Sequence, residues 1–191
     1  MRVLWFVVLF LQLGSGQSTT GPLNNIRAKI SVDSLTNLTG VQIAGQYANP
    51  SKELIKRTGP PLSGENLYIF PDNSYVYCQW ADVMLNTVFD KGIWSFDSGI
   101  LELKSDPEIV WDSELERKFL AVRRPSHKDE ILLMGLRKSL PYFEKNAGDD
   151  PELMLLIVTF PRVQPVSQAA TARLKARLMR EAWRPDFFRK Q

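Results

Sequence analysis

Between residues 26 and 32, apolar and polar side chains alternate without a break. Ile26, Ala28, Ile30 and Val32 share one side; Arg27, Lys29 and Ser31 share the other. A period of two is that of a strand with one buried face. Val41, Ile43 and Tyr47, punctuated by Gly40 and Gly45, predict a second strand. Residues 58–64, rich in Gly and Pro, read as a loop. From there the pattern is a series of hairpins. Leu67 and Ile69 alternate with Tyr68 and Phe70, Pro71-Asp72-Asn73-Ser74 makes a tight turn, and residues 75–80 return as the partner strand. Residues 92–96, the turn Asp97-Ser98-Gly99 and residues 100–103 repeat the unit. A third pair, 117–123 and 130–136, flanks the charged stretch around Pro125.

Helical signals gather towards the C-terminus. Ser139-Leu140-Pro141 starts a short helix through Asn146. Asp150-Pro151-Glu152 offers an N-cap acceptor, a first-turn proline and an acid at the dipole's positive end. The run 153–160 that follows is wholly apolar apart from Thr159 and rich in β-branched residues, so periodicity allows either a buried strand or a buried helix. Ser167 caps a helix reaching about Trp183, which Arg184-Pro185 ends. Its apolar stripe is Ala170, Leu174, Leu178 and Ala182, flanked by Met179 and Trp183. The opposing stripe is Arg173, Arg177, Arg180 and Arg184. The predicted class is mainly β (α+β): an antiparallel meander forming a small barrel or rolled sheet, with the C-terminal amphipathic helix packed on it.

The order Gly45-Gln46-Tyr47, residues 67–77 around the Pro71–Ser74 turn, Gly92-Ile93-Trp94 and Leu101-Glu102-Leu103 resembles the exported lipocalin-like (calycin-type) barrels of bacteria, over about residues 41–104. The resemblance implies an architecture; it carries over neither a ligand nor site residues.

Charge changes the picture at both ends of the chain. Arg2 precedes residues 3–13, an uncharged run with Gln12 as its one polar residue; Gly14, Ser15 and Gly16 then suit cleavage before Gln17. Such a run is too short for the roughly 20 residues of a spanning helix and reads as a secretory signal peptide. The formal net charge is +3, but the segment 165–191 alone carries +5, while residues 17–164 carry −3. The basic pI therefore belongs to the tail and does not argue for nucleic acid. The expected organisation is a signal peptide (1–16), an N-terminal segment with one candidate strand (17–40), a β-rich domain (41–164), and a basic amphipathic helix with its tail (165–191).

Candidate chemistry is sparse. The one cysteine, Cys78, alternates with Val76 and Trp80 on an apolar strand face and reads as a small buried hydrophobe. The one histidine, His127, lies in a polar stretch. No nucleotide loop, hydrolase elbow or zinc-protease helix motif is present, so no catalytic residue, metal or cofactor is assigned. The acidic set Asp106, Glu108, Asp112, Glu114 and Glu116 lacks the central glycine of a calcium loop and reads as a solvated face or loop. Asn37-Leu38-Thr39 is a glycosylation sequon. The expected function is an exported (periplasmic or secreted), non-enzymatic binding or envelope-associated module. Its aromatic lining would be Tyr68, Phe70, Tyr75, Tyr77, Trp80 and Trp94. The alternative is an assembly protein that docks an envelope protein or a membrane surface through Arg173, Arg177, Arg180 and Arg184.

Overall fold

The computed structural model describes residues 35, 38–82, 84–107, 115–124, 126–148 and 150–181. The expected signal peptide, the strand at 26–32, Asn37, Ala182, Trp183 and Arg184 lie outside these residues. Eight strands form one antiparallel meander: β1 (Gly45–Asn49), β2 (Ser63–Ile69), β3 (Ser74–Ala81), β4 (Met84–Asp97), β5 (Ile100–Ser105), β6 (Lys118–Arg124), β7 (His127–Gly135) and β8 (Thr159–Pro165). β8 pairs back onto β1, so the sheet is a closed barrel rather than a rolled open sheet. Closure leaves no edge to template another chain.

The hairpins lie where the alternation predicts them. In the first, Asn73 has φ 62° and the Asp72 carboxylate accepts the Ser74 N–H at 3.2 Å. In the second, Ser98 and Gly99 both take positive φ. The barrel interior is filled by inward positions of every strand, among them Tyr47, Leu67, Tyr75, Leu101, Phe119 and Leu133. The expected strand around residue 41 is instead a helical turn, α1 (Gly40–Ile43). There the Gln42 side chain reaches back to accept the Thr39 N–H at 2.8 Å. Val41 is 75% exposed and Ile43 fully buried, a division that two-residue alternation excludes. Leu35, Leu38 and Ile43 pack into the interior cluster, and Gly40 lies against the Trp94 ring, so this segment covers one barrel end.

Two groups of helices cover the outer wall. α2 (Lys52–Thr58) is a helix for which the alternation gave no sign. Ser51 caps it by accepting the Leu54 N–H at 3.1 Å, and Gly59 ends it at φ 93°. α3 (Ser139–Asn146) and α4 (Pro151–Val158) fill the β7–β8 connection. The apolar run 153–160 is thus both alternatives in succession, helix to Val158 and strand from Thr159. Leu54, Phe143, Leu155 and Leu156 pack against the outward Leu120, Val122, Leu132 and Met134, which is why β6 and β7 are apolar on both faces.

α5 (Gln168–Glu181) packs across the outer faces of β2–β4. Leu178 is buried among Tyr68, Phe70, Val76, Cys78 and Val88, with Leu174 and Met179 half-buried beside it. Thr171, not Ala170, is the buried residue of the helix's first turn, since Ala170 faces solvent. Leu178→Ala is expected to cost about 2–5 kcal/mol, the usual range for a buried leucine. Arg173→Gln or Arg177→Gln should change stability by less than about 1 kcal/mol, both side chains being exposed. Urea unfolding separates the two; a Leu178 variant as stable as the parent would show an unpacked stripe.

Candidate functional site

Alternate residues of a strand point to opposite faces, and this splits the six aromatics read as one lining. Ile69 pairs with Tyr75 and Leu67 with Tyr77, so these tyrosines face inward, as does Trp94, whose Nε1–H donates to the Phe70 carbonyl at 2.9 Å. Tyr68 and Phe70 face outward beneath α5, stacked at 6.3 Å, with the Lys175 ammonium 5.0 Å above the Phe70 ring. Trp80 is half-buried on the outer wall, its ring occupying the space left by the directly opposed Gly64. The six do not line one cavity. Arg173, Arg177 and Arg180 are exposed on α5.

The barrel end opposite α1 holds a cleft of about 360 Å³. Its walls come from β1, β2, β3 and β8, from Leu115 and Glu116 before β6, and from α3 and α4. Phe160 forms the apolar floor, edge-on to Phe119 at 6.0 Å. Tyr142 and Ile157 are exposed at the rim. Polar atoms sit between floor and rim. The Gln79 amide donates to the Tyr77 hydroxyl at 2.6 Å and approaches the Glu65 carboxylate at 3.5 Å. Burial, with a further contribution from the Glu65 carboxylate, pushes the Tyr77 phenol well above its ordinary range. It therefore stays protonated at neutral pH. Asn49 donates to the Ile157 carbonyl at 3.1 Å, tying β1 to α4 across the cleft.

Glu116 sets the position of α3. Its carboxylate accepts the N–H groups of Arg137, Lys138 and Ser139 at 2.7, 2.7 and 3.1 Å. A side chain at Gly135 would collide with it, a Cβ falling 2.3 Å from the carboxylate. So Glu116 is a buried helix anchor rather than part of a solvated acidic face. Asp106 is ion-paired with Lys91 at 3.3 Å; Glu108, Asp112 and Glu114 lie outside the described residues. Among the described residues, no three His, Cys, Asp or Glu side chains are placed to hold a metal ion.

Inside the wall, fully buried Asp90 is ion-paired with Arg117 and accepts from Ser105 at 3.1 Å. Arg117 also donates to the Tyr75 hydroxyl at 3.2 Å. This node ties β3, β4 and β5 to the approach of β6. The sequence carries no spacing signal for it, because its four members come from distant positions.

The remaining reactive side chains are far apart in the fold. His127 is exposed beside β6–β7, its Nδ1 2.8 Å from the Ser126 hydroxyl, which also reaches Glu152 at 2.9 Å. There the hydroxyl, not the imidazole, sits in the middle, the reverse of a nucleophile–base–acid series. Cys78 is buried under α5. It should react with a thiol reagent such as DTNB only after denaturation; rapid labelling of folded protein would show the α5 contact to be open.

No family model matches the chain, and neither a curated protein nor a solved structure is similar enough to it to match. The architecture is thus a closed eight-stranded antiparallel barrel with a helix packed on it. Among the described residues, no helix is long and apolar enough to cross a membrane.

Proposed function

We propose that this chain is an exported, lipocalin-like, non-enzymatic binding module that takes a small amphipathic molecule at the cleft end of the barrel. The observation that carries the reading is the asymmetry of the two ends. Leu35 and residues 38–43 fill one, while the other presents an apolar floor, a ring of polar atoms and apolar lips. A concave apolar site with few polar groups is the usual form of a small-ligand pocket, and about 360 Å³ lies at the small end of that range. The Glu65 carboxylate accepts, so the ligand's polar head is a hydrogen-bond donor. Export rests on the N-terminal pattern of charge, apolar run and small residues.

N-Phenyl-1-naphthylamine, a neutral aromatic amphiphile with one N–H donor, is the test probe. Its fluorescence should rise and saturate at one equivalent. Ile157→Asp, which sets a charge on the lip, should weaken binding by about tenfold, and Glu65→Gln by several-fold. Non-saturating fluorescence, or binding indifferent to both variants, would remove the cleft from consideration.

The second reading, docking of an envelope protein or membrane through α5, is favoured by one observation. The helix turns its apolar side to the barrel and its arginines outward.

A further inference from the structure

A larger concavity lies on the outer wall, independent of the barrel mouth. It holds about 570 Å³ between α5 and the outer faces of β3, β4 and β5. Register places its floor in two cross-strand rows. Val76 pairs with Lys91, whose ammonium reaches Asp106, and Ser74 pairs with Ile93, which pairs in turn with Lys104. Lys175 and Met179, one helical turn apart on α5, form the facing wall. Apolar floor and cationic rim thus occur together.

Three features describe what the groove would take. Ile93 is 58% exposed although it is a large β-branched residue in the middle of a strand, with Met179 half-buried opposite. Lys175 is already neutralised by Asp72, and Lys91 by Asp106. Lys104 is exposed and paired with no carboxylate among the described residues. One cation is therefore left at the rim of an apolar trough. Its complement is a molecule with one apolar chain and one negative head.

We infer that this groove binds a single-chain amphiphile bearing one anionic head, of the alkyl carboxylate class. The chain lies along Val76, Ile93 and Met179, and the carboxylate meets the Lys104 ammonium. The aliphatic stems of Lys91 and Lys175 add apolar wall while their heads stay with their own partners.

The test is calorimetric titration of the full chain with dodecanoate and, separately, with dodecanol, both below micelle formation. Dodecanoate should bind at one equivalent and about tenfold more tightly than dodecanol, the scale of one charge-assisted contact. Lys104→Gln should abolish that preference and leave dodecanol binding unchanged. Ile93→Asp should remove both. Ile93 and Lys104 are exposed, and unchanged far-UV circular dichroism will confirm that both variants fold. Equal affinity for the two probes, or no binding of either, would overturn the proposal. So would dodecanoate binding that survives both groove variants but is lost in Ile157→Asp, which would place the chain in the barrel mouth.

Discussion

Taking the protein from roughly pH 9 to roughly pH 12 is expected to unfold it in one cooperative step, because four tyrosines are buried as neutral phenols. Tyr47, Tyr68, Tyr75 and Tyr77 are all inaccessible or nearly so. Burial is the main cause in each case. It holds Tyr47, Tyr75 and Tyr77 well above the ordinary phenol range and pushes Tyr68 up to about 12. In the unfolded chain these groups titrate near pH 10. A folded value above the unfolded one means that the stabilisation is complete below about pH 10 and is lost as pH rises. Each phenol then removes about 1.4 kcal/mol per pH unit until its own folded value is reached. Four together remove about 5 kcal/mol per unit, against a typical total of about 5–15 kcal/mol. The absorbance change from these four phenols should therefore coincide with the loss of far-UV circular dichroism. Release of four phenol protons from a barrel that keeps its circular dichroism would contradict the burial.

Arg124→Met should destabilise the protein by about 3 kcal/mol, the low end for removing one partner of a buried ion pair. Arg124 is 1% exposed at the end of β6, and its guanidinium reaches Glu53 of α2 at 2.6 Å and Glu130 of β7 at 3.0 Å. Both acids are partly solvated, which places the expected cost at that end. Arg57 joins the cluster through Glu53 at 2.8 Å. The cluster pins α2 to the barrel wall, so loss of the cation leaves two carboxylates close together. The pH dependence identifies this cause. The Arg124 hydrogen bond holds Glu53 below the usual carboxylate range, so in the parent that stabilisation is lost as pH falls through the lowered value. Burial raises Glu130 even with Arg124 opposing it. Without the arginine its folded value rises further, and protonation in mild acid should relieve the variant. The gap between parent and variant in urea unfolding should thus narrow from about pH 7 to about pH 4.5. A constant gap would mean that the loss is one of packing alone.

The strands were legible because each inner face repeats every second residue and each turn carries Pro, Asp, Asn or Gly where a positive φ or a local acceptor is needed. The meander's spacing narrowed the sheet to a small barrel or a rolled sheet; the β1–β8 pairing that decides between them joins residues over a hundred positions apart. α2 escaped the alternation reading, yet its signals are local: Ser51 before it, Glu53 in the first turn, Lys56 and Arg57 in the last, Gly59 after it. The lining aromatics were misgrouped because β2 and β3 are covered on both faces, inside by the barrel core and outside by α5. Apolarity alone then cannot tell Tyr68 from Tyr77. The cleft itself depends on α3, held by Glu116 from a segment more than twenty residues earlier, which no spacing in the sequence reports.

Amide chemical-shift mapping of the full chain, titrated with N-phenyl-1-naphthylamine, locates the bound molecule. Saturating shifts should centre on Asn49, Glu65, Tyr77, Tyr142 and Phe160, with the α1 end undisturbed. Shifts confined to α5 and the outer wall, or none at all, would contradict binding at the cleft.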